Sequence, residues 1–572
     1  MKIKYILFGA LITILMSGCN DFLSTDNLTK KNNSNFPKTE DDAEEALTGA
    51  YSMLRMMTNG DEGQNIFIVS EILSDDRFGG GGPDDRYAQA LDHLKKSSDN
   101  MFSDIWKINY VGVYRCNLLL ESLGNVTFTS DSTRNQIEGE ARFLRAYYYF
   151  NLCKTFGKVP LITTSQSSNE AQASPDSLYS QIGTDLKKAI SLLPSVTIQK
   201  MSTSNLGHAT KWAAEALLAR VYLFYTDYYE KSSMPVKGGA MTNDEVVNDL
   251  KDCINKSGHK LMPDFRDLWP YSNKYTKPDY PYSTSNDLSW YGEDGDNYET
   301  IFAIKYSAKA YWGDGDIYAH RSNECDLFFS PRETDGSTAN NFPLGIGWGY
   351  GPINPTMIND WESAEPNDIR LKGSVFDVSA EAPNYVWGAD KQYNETGYWE
   401  KKYAAINTKV SDAGGNVTYE NYSHQIYPSI ENDYQIDNIQ DIVVIRFADV
   451  LLMYSELTKT ADGINQVRAR VGLAPIAGYT DTALRNERRW ELAFEGLRWY
   501  DLLRWHIAGD ALARQNGVSV ENNLEKTTMD MSDIKQRVTD TGGFLQIPQT
   551  QIDLSNGVLK QNAGWTGDNL LY

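Results

Sequence analysis

The 572-residue chain is 41% hydrophobic, enough for an interior of ordinary density, and carries a formal net charge of −22. That charge excludes nucleic acid and a bare anionic lipid surface as partners, because both are held by Lys and Arg. Aromatic residues are abundant, at 35 Tyr, 20 Phe and 13 Trp, so the question along the chain is which rings build the core and which meet a ligand.

Residues 1–18 read as a signal peptide. Lys2 and Lys4 precede an apolar run from Tyr5 to Met16, shorter than the roughly 20 residues a membrane-crossing helix needs. The following "LMSGC" resembles a bacterial lipobox, with Met16 in place of the more usual Leu, and makes Cys19 the expected lipidation site. Several acyl chains would tether the protein to a membrane without spanning it, at ~0.8 kcal/mol per buried CH₂. Residues 19–38 are polar and unpatterned, as a tether should be. Residues 39–572 are expected to form a single domain, with a helical scaffold at about 39–258 and 441–510 and a loop-rich, ligand-facing insertion at about 259–440.

Thr39 and the acidic "EDDAEE" predict a helix over 39–58. Further helices are predicted over about 103–123, 132–156, 175–193 and 207–230. In the last, "HATKWAAEALLARVYLFYTDYY", small Ala alternates with bulky residues, which suits closely packed antiparallel pairs. Helix–turn–helix units of ~34 residues mark tetratricopeptide-like arrays, although the consensus here is degenerate. In "GEARFLRAYYYFNLCKTFGKVPL" Phe143, Tyr147 and Phe150 share one helical face and Leu144, Tyr148 and Leu152 another, while Arg142, Arg145 and Tyr149 take a third, polar side. Two apolar faces mean a helix wedged between neighbours, so this cluster reads as core and not as a sugar platform. Cys116, Cys153, Cys253 and Cys325 match no zinc spacing and read as buried thiols.

From about 259 to 440 Gly, Pro, Asn, Asp, Tyr and Trp dominate, with a short strand in "ETIFAIKYS" (299–307). Exposed rings offer flat apolar faces to sugar C–H surfaces, while a few polar groups reach the hydroxyls. The candidates are Trp290 and Tyr291 in "SWYGEDGDNY", Tyr311 and Trp312 in "AYWGDGDIY", and Trp348 and Tyr350 in "GIGWGYGP". A second candidate is "LSDDRFGGGGPDDRY" (73–87), whose four glycines allow close approach to a ligand or movement as a flap. Arg77, Phe78 and Tyr87 flank it, and Asp75 and Asp76 offer hydroxyl acceptors. Without a following Gly-Lys-Ser/Thr it is not a phosphate loop.

Asp294/Asp296 and Asp314/Asp316 bring oxygens together as Ca²⁺ prefers, but lack the rest of an EF-hand loop, so no cofactor is expected. Glu491 and Glu495 stand four apart on a helix, a separation that resembles the carboxylate pair of a retaining glycosidase. Arg488 and Arg498 lie three residues away from them and are expected to keep both ionised, whereas an acid/base pair needs one raised pKa. With no His-Glu-x-x-His and no Gly-x-Ser-x-Gly in the chain, the expectation is a protein that is not an enzyme.

Five segments in order resemble the SusD/RagB family of surface lipoproteins found beside TonB-dependent transporters. They are the lipidation signal with "CNDFLS", the stretch 139–161, "RFADVLLMYSEL" (446–457) with "INQVRARVGL" (464–473), "RNERRWELAFEGLRWYDLLRW" (485–505) and "LQIPQTQIDLSNG" (545–557). "LLMYSELTKTADG" departs from the family's texture at a helix junction. The resemblance implies a mainly α fold of tetratricopeptide-like pairs with a loop-rich face, lipid-anchored at the outer-membrane surface. It also implies a binding protein that captures a nutrient, most often a glycan, and passes it to a SusC-like TonB-dependent transporter. Peptide capture, as in some relatives, is the alternative. It would favour main-chain hydrogen bonds and charged pockets, whereas the loop Trp and Tyr residues favour a glycan.

Overall fold

Side-chain caps set where the long N-terminal helices begin. Thr39, Ser130, Ser174, Thr210 and Thr242 each accept the backbone N–H three residues on, satisfying a donor that the helix itself leaves unpaired. They start α1 (Glu40–Met56), α3 (Asp131–Phe156), α4 (Pro175–Leu192), α5 (Lys211–Tyr228) and α6 (Asn243–Lys256), while α2 (Ser103–Ser122) starts without a side-chain cap. The computed structural model describes residues 36–58, 65–166, 168–202, 205–292, 297–306, 322–333, 338–430, 433–567 and 570–571. The signal peptide and Cys19 lie outside them.

Consecutive helices pack on one another from α1 through α2 and onward to α6. The chain returns to this array through α7 (Phe447–Thr458), α8 (Asp462–Arg470), α9 (Asp481–Glu491) and α10 (Arg498–Arg504). Helix α7 packs against α6, α8 and α9, and α10 packs against α5. The fold is mainly α, as expected.

Helix α3 is its centre. Phe143 and Phe150 meet Phe302 and Phe224 edge-on, at ring separations of 4.9 and 5.9 Å. On the opposite face Tyr148 donates to the carbonyl of Ala50 at 2.7 Å. On the third side Arg145 and Tyr149 are buried and Arg142 is part-exposed. Arg145 reaches Asp185 at 2.7 and 2.8 Å and Asn117 at 2.9 Å, so a polar face is absorbed by a fully buried partner. The four described cysteines are buried and free, and burial pushes the Cys116 and Cys153 thiols up.

The middle of the chain enters through a strand pair. β1 (Thr300–Ile304) runs antiparallel to β2 (Ile442–Arg446), with Ile304 opposite Ile442 and a register shift around Phe302. Further two-stranded pairs hold Val375–Asp377 against Tyr398–Glu400 and Asn407–Ser411 against Val417–Asn421. A small second core, built on Trp361 stacked on Trp490 at 4.9 Å, ties the middle to α9.

Helices α7 and α8 touch through backbone. A Cβ on Gly463 would lie 1.9 Å from the carbonyl oxygen of Leu451, which cannot swing away. Gly463→Ala should therefore force the helices apart and cost about 1–3 kcal/mol, read as a lowered midpoint in urea.

Candidate functional site

Two of the segments singled out in the sequence meet in space. The run Gly79–Gly82 lies along the loop of Trp348, with Arg77 bridged to Ile353 and Gly80 to Tyr350. Gly81 donates to the carbonyl of Gly349 at 2.8 Å and accepts from Tyr393 at 2.8 Å, and Gly351 donates to Gly79 at 3.1 Å. Gly80 and Gly349 both sit at φ +69°, and a Cβ on Gly80 would lie 2.3 Å from the Gly349 carbonyl oxygen. The glycines thus serve loop-to-loop contact, and the run is pinned and buried. The expectation of a flap is corrected accordingly.

Five of the expected contact residues are placed inside the protein. Arg77 is fully buried, pairs with Glu71 and Glu400 at 2.7 Å each, and lies 4.3 Å from the centre of the Phe329 ring. Burial pushes Glu400 up to about 7 in spite of Arg77. Asp76 accepts two bonds from Arg489, at 2.6 and 2.8 Å. Phe78 is buried and Tyr87 packs edge-on against Phe102 at 6.2 Å. Tyr350 packs against Phe328 at 4.9 Å, with its hydroxyl 3.1 Å from Asp85. Each uses its ring or charge inside the protein. Tyr311 and Trp312 lie outside the described residues, as do Asp294, Asp296, Asp314 and Asp316.

Trp348 is the ring of this set that the loop face presents, half-buried. Tyr434, 37% exposed, lies 6.3 Å away with its ring tilted by 55°. Arg332 braces the Trp348 loop. Its guanidinium donates to the Trp348 carbonyl and to Asp85 at 3.1 Å each, and it pairs with Asp390. The side chains of Asp390 and Asp85 are part-exposed around Arg332, although both Asp85 oxygens already accept from Gly82, Arg332 and Tyr350. Trp387 is a further exposed ring, at 37%, packed edge-on against Tyr385 at 5.6 Å. Sequence reasoning missed Tyr434 and Trp387, although Asp433 and Gly388 flank them in the same Gly/Asp style that singled out the others.

Trp290 and Tyr291 are placed elsewhere. They line a separate cavity of about 180 Å³ together with Trp269 and His259, and Trp290 meets Tyr422 edge-on at 5.5 Å. An open groove of about 920 Å³ follows α2, where Trp106, Tyr110 and Tyr114 recur every four residues. Of these, Trp106 is buried and the Tyr110 hydroxyl is spent on the Pro160 carbonyl at 2.8 Å, which leaves Tyr114 as the exposed ring.

Glu491 and Glu495 do not share a helix as expected, since α9 ends at Glu491 and Glu495 lies in the turn that follows, and both carboxylates are structural. Glu491 is fully buried and pairs with Arg370 at 2.9 Å and with Arg446 and Arg470. Burial alone would raise its pKa, but Arg470, Arg446 and Arg370 hold the carboxyl well below the usual range. Glu495 is bound at 2.7 Å each by Lys402 and Arg446. The partners differ from those expected, since Arg488 turns to Asp449 and Asp501 and Arg498 to Asp75. No group of three or more His, Cys, Asp or Glu among the described residues could hold a metal, and no described helix is long and apolar enough to cross a membrane.

Residues 26–223 match the family described as "Starch-binding associating with outer membrane", and residues 330–565 match the SusD family. A SusD-like protein, P25, of Formosa agariphila is 23% identical over 548 residues, covering 90% of this chain and 92% of that protein. Among solved structures, a laminarin-binding SusD-like protein superposes with a TM-score of 0.68 at 26% identity, over 92% of this chain and 99% of that one. A surface glycan-binding protein A from Bacteroides thetaiotaomicron, solved with laminarihexaose, shares the fold at 22% identity, with a TM-score of 0.68 over 92% of this chain and 99% of that one.

Proposed function

Because the chain belongs to the SusD/RagB family, a family of binding proteins and not of enzymes, we propose that it captures a neutral glycan on the cell surface through the loop face of Trp348 and Tyr434. The observation that carries this reading is the ring pair itself, half-buried Trp348 beside exposed Tyr434, with Arg332 holding the Trp348 carbonyl and pairing with Asp85 and Asp390. Rings at this tilt can follow a curved chain of sugars, and the carboxylates accept hydroxyl hydrogen bonds. The laminarin-binding relative supports a β-glucan as the first ligand to try.

Lipidation at Cys19 would hold the protein at the outer-membrane surface, and hand-over to a SusC-like TonB-dependent transporter would follow capture. Both rest on the signal sequence and on the family. Peptide capture is the rival, and a panel of laminarin, starch, xyloglucan, mannan and mixed peptides, read by calorimetry and affinity gels, separates the two. Saturable binding to at least one polysaccharide is the expected result. Binding to peptides alone would favour the rival, and release of reducing ends would overturn the non-enzymatic role.

A further inference from the structure

The turn that presents Tyr434 is closed by its own backbone and then fastened to a neighbouring segment. Ile436 donates to the Asp433 carbonyl at 2.9 Å, and Gln435 donates to the Asp433 carboxylate at 2.9 Å. After the ring the chain turns inward, and Ile436, Asp437 and Asn438 are all buried.

Two side chains from outside the turn meet this buried stretch. Asn421, at the end of its strand, donates to the Asn438 side-chain oxygen at 2.8 Å. His424, in the helical turn Ser423–Ile426, places Nε2 3.1 Å from Asp437 Oδ2. Asn438 is also held by Asn323, which donates to its carbonyl at 2.8 Å, and its own Nδ2 donates to the Tyr434 carbonyl at 3.4 Å. An ionised carboxylate only accepts, so His424 Nε2 carries hydrogen whether the ring is charged or neutral. What pH changes at this contact is the charge.

The side chains of His424 and Asp437 are 9% and 4% exposed, so solvent screens their pairing far less than it screens a surface bridge. The hydrogen bond to Asp437 pushes the His424 pKa above its ordinary 6.5, against burial, and the charges of Asp437 and Glu420 add to it. Burial pushes Asp437 up from 3.8 against the pull of His424, and Asp433 adds to that rise. Asp326, in the segment Glu324–Phe329, also faces Asp437, and burial holds it well above the usual carboxylate range. Glu420, Asp433 and Asp326 are all carboxylates, which leaves His424 to offset the charge of Asp437. Arg332 and Asp390 face the Tyr434 phenol and are paired with each other.

We infer that His424 is a positioning residue of the loop face, its ion pair with Asp437 holding the turn that presents Tyr434 beside Trp348. Its effect on binding rests on that face being the glycan site. The pair's contribution is complete below about pH 6.5 and is lost as the pH rises through the higher folded-state value. Deprotonation leaves Asp437 buried opposite a neutral ring, with Asp433 of the same turn repelling it. Glycan affinity should therefore fall on the alkaline side, where the Tyr434 phenol, raised from its ordinary 10, keeps its proton.

Laminarin titrated by calorimetry into the full-length chain in detergent micelles, from about pH 6 to about pH 9, tests this, with hydrogen exchange over 433–438 as a second reading. Parent affinity should fall about fivefold between those ends. His424→Gln retains a neutral donor near the Nε2 position and carries no charge. It should bind about fivefold more weakly than the parent at the acid end, match it at the alkaline end and show no pH step. Exchange over 433–438 should be faster in the variant at the acid end, with the parent's circular dichroism. His506→Gln, at a ring that meets the Asp227 carbonyl on α5, should keep the parent's profile. A pH step that persists in His424→Gln, or equal protection of 433–438 in parent and variant, overturns the inference and leaves the loop face standing. If laminarin binds at no pH while exchange over 433–438 still responds to His424, the turn is held as inferred and the laminarin reading of the loop face fails.

Discussion

Glu491→Gln should lower the unfolding free energy by about 3–5 kcal/mol, the loss expected when one partner of a buried ionic cluster is removed. Glu491 is the carboxylate on which Arg370, Arg446 and Arg470 converge. Arg446 and Arg470 also share Glu299, Arg370 also holds Asp368 and Glu487, and Glu495 binds Arg446. The amide keeps the shape but removes the negative charge, so three guanidiniums stay desolvated with less to balance them. As a control, Asp481→Asn removes a pair with Lys459 whose side chains are both more than 60% exposed, and should change stability by less than about 1 kcal/mol. Urea unfolding measures both. The same cluster fixes the acid behaviour. Glu491 is held well below its ordinary 4.5 in the folded state, so its contribution is complete above that value and is lost as the pH falls below it. Asp449, held at about 2 by Arg220 and Arg488 against its burial, loses its contribution between 3.8 and about 2. Stability should therefore fall steeply with acid below about pH 4.5, and less so in Glu491→Gln, which has already lost one such group. Equal acid slopes in parent and variant would contradict this account.

Local signals carried the helices and missed what the tertiary structure decides. The periodicity of Phe143, Tyr147 and Phe150 named a core helix because burial on two faces leaves a pattern within one turn or two. The helices predicted at 103–123, 132–156 and 175–193 agree with α2, α3 and α4 to within a residue or so at each end. Helix α6 went without its own prediction, although Thr242 and Glu245 form a readable capping box. Arg145 shows the limit from the other side, since a charge on a helix reads as solvated until Asp185, 40 residues away, is seen to bury it. The ion pairs of α9 fail for the same reason. Spacing offers Arg488 to Glu491, but the fold brings Arg446, Arg470 and Arg370 from distant segments, and no sequence window contains them together. For the rings, flanking Gly and Asp correctly meant loop, but loop did not mean exposed. Tyr350 and Phe78 were drawn inward where two glycine-rich loops meet, while Trp348 is half-buried.

Trp348→Ala is expected to weaken binding of the preferred polysaccharide by roughly thirtyfold or more, the size of a loss at an aromatic hot spot. The ring stands where the pinned Gly349 loop and the Arg332 brace hold it, so binding spends little on ordering it. Tyr434→Ala should cost less, because its ring is more exposed than that of Trp348 and meets it only at 6.3 Å. The double variant should lose less than the sum of the two, since the rings share one sugar-facing surface. Arg332→Lys should behave as a positioning change. A single ammonium cannot reach the Trp348 carbonyl, Asp85 and Asp390 together, so affinity should fall while the unfolding midpoint moves little. Tyr114→Ala, in the groove along α2, should bind like the parent. Isothermal calorimetry on the five variants distinguishes the surfaces directly. If Tyr114→Ala loses binding and Trp348→Ala keeps it, the glycan lies along α2, and the loop face serves another role.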